Sequence, residues 1–360
     1  MNDIIKVYCE NTSSQIEVEM GTSLLDIRDR LDVDNEYPFL AAYVNNRIKE
    51  LNYKVYTPIS IRFIDATRFE GYRVYQRSVS FIMQAAVWSL YPDHKFHVRH
   101  SIGSGFYCEI DGIGEFTESD CLRIESKARE IVAANLRIER CKVPTEEAIA
   151  EFGRFGFDDK IALLRSRPRL YSNIYRLGDM VGYFLGALAP STGYIDEFEV
   201  RPYYNGFYLA LPERTAPHRI GKTPQRDKLF GIFHQYHSWV DIMGVPTVGH
   251  VNAKVAQGDA SELIKIAEAF HEKQLAQIAD AVNEANASRG VRMVLISGPS
   301  SSGKTTTAKR LGIQLRILGL HPVLISLDDY FVNREDTPLD ENGEYDYEAV
   351  SYTHLRAHET

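Results

Sequence analysis

Residues 292–331 read RMVLISGPSSSGKTTTAKRLGIQLRILGLHPVLISLDDYF, and this stretch decides the reading of the C-terminal part of the chain. Within it Gly298–Thr305, GPSSSGKT, matches G-x-x-x-x-G-K-[ST] in full. Gly298 and Gly303 let the backbone turn tightly enough for successive N–H groups to converge on phosphate oxygens, and the following helix points its positive dipole end at the same anion. Lys304 then reaches the β and γ phosphates, and Thr305 offers a hydroxyl to Mg²⁺. With Pro299, Ser300, Ser301, Ser302 and Thr306, these residues form the candidate site for ATP and Mg²⁺. Val294, Leu295 and Ile296 predict a strand before the loop, and Ala308, Leu311, Leu315 and Leu318 a helix after it. Pro322–Leu327 predicts a second strand. A right-handed βαβ crossover puts both strands in one parallel sheet, with ligands at their carboxyl ends. Asp328 and Asp329 are therefore expected near the phosphates. There a carboxylate could take a proton from an attacking hydroxyl or hold the Mg²⁺ hydration shell, while a helix cap or solvated turn also favours Asp.

The rest of the chain bounds the function. It has 360 residues, 41 Lys plus Arg against 49 Asp plus Glu, and a formal charge of −8. That length suits two or three domains of roughly 150 residues. The charge offers no bulk electrostatic reason to bind nucleic acid or anionic membranes, although a local basic face is compatible with it. Cys9, Cys108, Cys121 and Cys141 are widely spaced, so reduced and mostly buried thiols are expected rather than a zinc knuckle or a disulfide framework. MNDIIKVYCENTSSQ lacks a basic and apolar leader pattern, and no uncharged apolar stretch of about 18 residues occurs. A soluble, cytoplasmic protein without a membrane partner is the expectation.

Residues 1–65 carry strand-like runs at Ile4–Tyr8, Ile16–Glu19, Ala41–Val44 and Ile59–Ile64, with a helix in GTSLLDIRDRL capped by Thr22 or Ser23. LYPDHKFHVRH reads as a strand with His94 and His100 on one face and His97 on the other, and nothing at ligand spacing completes a metal site. His234 and His237 sit among aromatics at helical spacing and read as packing residues. Residues 222–290 form a mainly helical connector.

GTSLLDI, AAYVNNRIKELNY and IRFIDATRFEGYRVYQRS resemble the TGS domain, a β-grasp module of threonyl-tRNA synthetases and some GTPases. YQRSVSFIMQAAVWSLYP, GSGFYCEID and ALAPSTGYIDEFEV resemble the editing domain that follows in those synthetases, over residues 66–221. The resemblance aligns Phe81, Ala85, Phe184 and Leu188 with the family's two His-containing pairs. None of the four can bind a metal or shuttle a proton, so it implies a binding or regulatory scaffold with the editing chemistry lost.

GPSSSGKTTTAKRL, SLDDYFVNRE and GEYDYEA are similar to the uridine kinase and phosphoribulokinase family. The resemblance implies Asp328 as base on a ribose 5′-hydroxyl, with Lys304 as the other catalytic residue. It also implies nucleoside contacts from Asp328, Tyr330, Phe331 and, with His and Pro missing from the family's motif, Asp346. The whole order resembles bacterial fusion proteins known as nucleoside or uridine kinases.

The expected fold is multidomain. An α+β N-terminal half is followed by the helical connector and an incomplete α/β P-loop NTPase domain with a parallel sheet, beginning at 291–349. The expected function is an ATP-dependent uridine or cytidine kinase, cut off and inactive alone because about 70 residues after Arg292 fall short of a full domain of roughly 100 to 200. The alternatives are an RNA-binding or regulatory protein with a P-loop switch, its N-terminal half contacting tRNA-like structures, and a phosphoribulokinase-like sugar kinase. Residues 350–360, VSYTHLRAHET, resemble a translated sequencing adapter and are set aside, together with His354 and His358 at i and i+4.

Overall fold

The computed structural model describes residues 3–33, 35–299, 301–326, 337–339, 343 and 345. The chain divides into two compact units, Met1–Lys254 and Val255–Thr360.

The first unit opens with β1 (Ile4–Cys9), β2 (Ser14–Glu19), α1 (Leu24–Leu31), β3 (Ala41–Val44), β4 (Arg47–Glu50) and β5 (Ile59–Ile64), whose strands form one sheet in the order β2-β1-β5-β3-β4. β1 buries Ile5, Val7 and Cys9 and turns Ile4 and Tyr8 outward, the alternation of a sheet covered on one face. β1 and β5 are parallel, and α1 covers the buried face with Leu24 and Ile27 against Val7, Ile61 and Phe63. The Ser23 hydroxyl accepts from the Asp26 amide at 3.1 Å and Asp26 accepts from the Ser23 amide at 3.4 Å, a reciprocal cap. Such a cap stabilises a helix start by about 1 kcal/mol. β4 is an addition to the sequence expectation. Its hairpin turns on Asn45 and Asn46, at φ 45° and 63°, a left-handed pair that asparagine tolerates.

The unit continues with α2 (Phe69–Leu90), β6 (Phe96–Ile102), β7 (Gly105–Ile110), α3 (Glu118–Ala133), β8 (Ile138–Pro144), α4 (Thr145–Arg154), α5 (Asp158–Arg165), β9 (Tyr171–Leu177), β10 (Met180–Gly182), β11 (Glu199–Tyr203), β12 (Gly206–Ala210), β13 (Pro212–Glu213) and β14 (Ala216–Ile220). Two sheets result, β11-β12-β7-β6 and β10-β9-β8, besides the β13-β14 hairpin. α2 runs through one core with them: Val79, Phe81 and Ile82 pack with Cys108 of β7, Ile124 of α3, Tyr175 of β9 and Phe207 of β12. Ala41 and Ile64 of the first sheet, with Leu40 just before β3, join the same core. α2 starts hard against the end of β5, where a Cβ on Gly71 would meet the Asp65 carbonyl oxygen at 1.8 Å.

α6 (Asp227–Ile242) follows and lays Phe230 onto Ile102, Tyr107 and Tyr208, and α7 (Val248–Gln257) comes next. The histidine faces differ from the expected alternation. A register shift between Val98 and His100 lets His97 pair with Glu109 and His100 with Tyr107, so the extra residue, Arg99, puts both histidines on one face. His97 Nε2 lies 2.9 Å from Asp111 Oδ2, and His94 Nδ1 lies 2.7 Å from the Asp111 carbonyl oxygen. His100 stacks on Phe233 of α6 with ring centroids 4.0 Å apart, and neither of its ring nitrogens has a hydrogen-bond partner.

In the second unit α8 (Ala260–Arg289) and α9 (Lys304–Ile317) pack through Leu275, Ala279, Leu311 and Leu315. Arg310 pairs with Glu268 at 3.0 Å and Glu272 at 2.6 Å. The two strands expected around α9 are not seen among the described residues. Residues 291–298 and 321–326 have no ladder partner among the described residues, and Leu295 is 85% exposed. A parallel strand exists only where a neighbour takes its N–H and C=O groups, and an apolar run without that neighbour stays unpaired. The described residues therefore make a multidomain α+β protein, and the parallel sheet of a P-loop NTPase domain is absent from them.

Burial lowers the proton affinity of His100 below the ordinary histidine value, with His237 adding to the effect and Glu109 opposing it. His237 is lowered first by burial and then by Arg99, against Glu109 and Asp241. Because the unfolded chain binds these protons more readily, their contribution to stability is complete above an unfolded value of about 6.5 and is lost as pH falls below it. Urea midpoints should fall from pH 7.5 to 5.5, and His100→Phe should flatten that slope. An unchanged slope in the variant would place the titration elsewhere.

Candidate functional site

The phosphate-loop residues come together at the start of α9. Gly303 sits at φ 82° and Ser301 at 59°, so the chain turns through two left-handed residues before the helix begins. No side chain caps α9, which leaves its first amides available to an anion. Lys304 Nζ donates to the Gly298 and Pro299 carbonyl oxygens, both at 2.8 Å, folding the ammonium back over the loop. A Cβ on Gly298 would meet Ser302 Oγ at 2.8 Å, so the loop folds back closely on itself there. Thr305 and Thr306 occupy the first turn of α9. This donor set of backbone amides, an ammonium and hydroxyls suits a polyphosphate. Ser300, Asp328, Asp329, Tyr330, Phe331, Asp346, His354 and His358 lie outside the described residues.

The four positions aligned with the synthetase editing pairs also converge. Phe81 of α2 and Phe184 lie with ring centroids 5.3 Å apart, Leu188 is fully buried in the same core, and Ala85 packs against it half-buried. The segment after β10 is pinned across α2 by polar bonds that the sequence reading missed. Ser78 Oγ accepts from the Ala189 amide at 2.8 Å and donates to the Val74 carbonyl at 2.8 Å. Arg77 Nε donates to the Ala187 carbonyl at 2.9 Å. The Tyr175 hydroxyl meets both the Gly186 carbonyl, at 2.7 Å, and the buried Glu50 carboxylate, which Arg140 also reaches at 3.3 Å. These bonds hold a closed aromatic junction. Glu50, Ser78 and Tyr175 stand alone in otherwise apolar or alternating runs, a pattern that gives no signal without the fold.

The thiols offer no nucleophile in this region. Cys9, Cys108 and Cys121 are buried and Cys141 half-buried, and burial pushes the Cys121 thiol up to about 12 and Cys108 further still. Among the described residues no group of three or more His, Cys, Asp or Glu could hold a metal, and no helix is long and apolar enough to cross a membrane.

No family model matches the chain. Among curated proteins it is similar to a threonine–tRNA ligase of Clostridium kluyveri, 32% identical over 191 residues, or 53% of this chain and 30% of that protein. Threonine–tRNA ligase 1 of Bacillus subtilis is 30% identical over 201 residues, covering 56% of this chain and 31% of the ligase. A threonine–tRNA ligase of Geobacter is 27% identical over 215 residues, 60% of this chain and 34% of the ligase. The chain thus spans about a third of the length of these relatives. They are ligases, which overturns the expectation of a nucleoside kinase, or any phosphotransferase, fused to synthetase-like modules. The roles of Asp328, Tyr330, Phe331 and Asp346 as base and nucleoside contacts, and that of Lys304 as a phosphoryl-transfer residue, lose the support of the kinase resemblance.

Truncating the fully buried Phe81 to alanine removes the ring that faces Phe184, and Phe→Ala changes in cores cost about 3–5 kcal/mol. Phe81→Ala should lower the unfolding free energy of the first unit, read from urea titration, by that amount, while the surface change Leu170→Ala should leave it within about 0.5 kcal/mol of the parent. Equal midpoints for Phe81→Ala and the parent would mean the junction is not packed as described.

Proposed function

We propose that this chain binds structured RNA of the tRNA type through its N-terminal unit, and that the Gly298–Thr306 loop takes the phosphates of a nucleotide that regulates this binding. The observation that carries the reading is the 32% identity over 191 residues to a protein whose name makes tRNA its substrate. The apolar junction at Phe81, Ala85, Phe184 and Leu188 supports binding without hydrolysis, since no group there moves a proton. Domains at 1–65, 66–221, 222–290 and 291–349, with a foreign tail at 350–360, and a cytoplasmic location belong to the same reading.

Mg-ATP is the ligand proposed for the loop. Loop amides and Lys304 would hold its phosphates, and Thr305 would face the Mg²⁺. The cation would supply charge neutralisation on the phosphates. What this chain's own residues contribute is binding and orientation: Gly298 and Gly303 shape the turn, and Lys304 exchanges its two carbonyl bonds for phosphate oxygens.

Electrophoretic shift of labelled bulk tRNA should show binding by the full chain, and Mg-ATP should change its apparent affinity. Lys304→Ala should abolish the Mg-ATP effect and leave the nucleotide-free RNA affinity unchanged. No shift at any protein concentration would refute the RNA reading. A Mg-ATP effect that survives Lys304→Ala would refute the loop's part in it.

A further inference from the structure

The turn between α5 and β9, Arg165–Tyr171, reads RSRPRLY and places three arginines at alternate positions in a chain whose formal charge is −8. Arg165 and Arg169 are exposed, and neither guanidinium has an acidic partner among the described residues. Arg167 donates to the Tyr183 hydroxyl, and so is tied to the body of the unit. Leu170 is 85% and Tyr171 54% exposed, and Lys142 of β8 sets its ammonium 5.1 Å from the centre of the Tyr171 ring.

The backbone of this turn is held from several sides although Arg165, Arg169 and Leu170 face water. Thr145 Oγ1 donates to the Arg169 carbonyl at 2.6 Å, and the Thr145 amide donates to the Leu170 carbonyl at 2.9 Å. Asn252 of α7 donates to Ser166 Oγ at 2.9 Å, and α7 comes so close to α5 that a Cβ on Gly249 would meet the Leu163 amide nitrogen at 2.5 Å. Pro168 restricts the middle of the turn. With the backbone already fixed, an anion that orders these cations costs side-chain entropy alone, so folding has already met part of the cost of binding.

We propose that Arg165, Arg169, Lys142 and Tyr171 form an RNA contact surface, the cations on the phosphate backbone and the tyrosine ring under an unstacked base. The proposal deepens the RNA-binding reading above and rests on it. Planar guanidiniums match phosphate geometry, and an exposed aromatic beside them adds a stacking platform that any base can use. An anionic membrane would use the cations but not the stacking, and an acidic peptide would engage the guanidiniums through its carboxylates but leave the ring face unused.

The test uses the full chain and labelled bulk tRNA over a salt series. Arg165→Gln/Arg169→Gln should weaken binding about tenfold near 0.1 M salt and reduce the log–log salt slope by about two, because two phosphate contacts are lost. Tyr171→Ala should weaken binding while leaving the slope unchanged. Arg30→Gln/Lys54→Gln, which removes two exposed cations elsewhere on the unit, should do neither. Wild-type affinity and slope in the Arg165/Arg169 variant would overturn the surface while leaving the RNA reading intact, and an equal loss from the Arg30/Lys54 variant would do the same by showing diffuse charge. Binding to phosphatidylserine vesicles that the Arg165/Arg169 variant loses, with its tRNA affinity unchanged, would assign the turn to membranes instead. No tRNA binding by the parent chain would remove both readings together. Unchanged melting temperatures would confirm that each variant folds.

Discussion

Burial of α2 is the constraint on which the N-terminal unit depends. Across its 22 residues it meets the β7/β12 sheet, the β8–β10 sheet, α3 and the end of the first sheet, so few of its faces are left for solvent. A helix apolar on most sides cannot be stable in isolation, and its stability comes from what surrounds it. The close approach at Gly71 and the Ser78 hydroxyl then set where the neighbouring segments lie. Ser78 is fully buried, yet its oxygen is satisfied in both senses, by the Val74 carbonyl and the Ala189 amide. Replacing that hydroxyl with a methyl group would strand the Ala189 amide in the core, which costs more than the bond itself contributes.

The same burial explains what the junction at Phe81 can and cannot do. A site that hydrolyses needs a polar group, room for water and a path to solvent. Phe81, Phe184 and Leu188 fill the space with side chains that hold the segment after β10 against α2. Glu50 and Tyr175 add polar bonds beside it, and Glu50 is engaged by both Tyr175 and Arg140. A phenylalanine contributes burial at this junction, where a histidine would need hydrogen-bond partners.

Local signals carried the first sheet. The alternation in IIKVYC, the cap at Ser23 and the apolar run of β5 each reflect contacts within a few residues or a single buried face, and they are legible in the sequence. β4 escaped notice because RIKE is mostly charged, although the two asparagines before it announce the turn. The bulge at Arg99 could not be read from LYPDHKFHVRH, since the register belongs to the pair β6–β7 and not to either strand. Of the loop at α9, the turn and the helix were legible, whereas the parallel strands were inferred from a pattern whose realisation requires partners elsewhere in the chain.

Charge shows the same division between composition and place. The formal −8 of the chain argues against bulk attraction to nucleic acid, yet electrostatic binding depends on which cations lack partners and how firmly they are held. Arg310 is committed to Glu268 and Glu272, Arg176 to Glu151, and Arg201 to Glu199. Such pairs lower the potential that those arginines present to a ligand, whatever their exposure. Among the described residues Arg165 and Arg169 have no such acidic partner, and they stand on a backbone anchored by Thr145 and Asn252. An acidic protein can therefore present a locally cationic edge where folding has fixed the main chain.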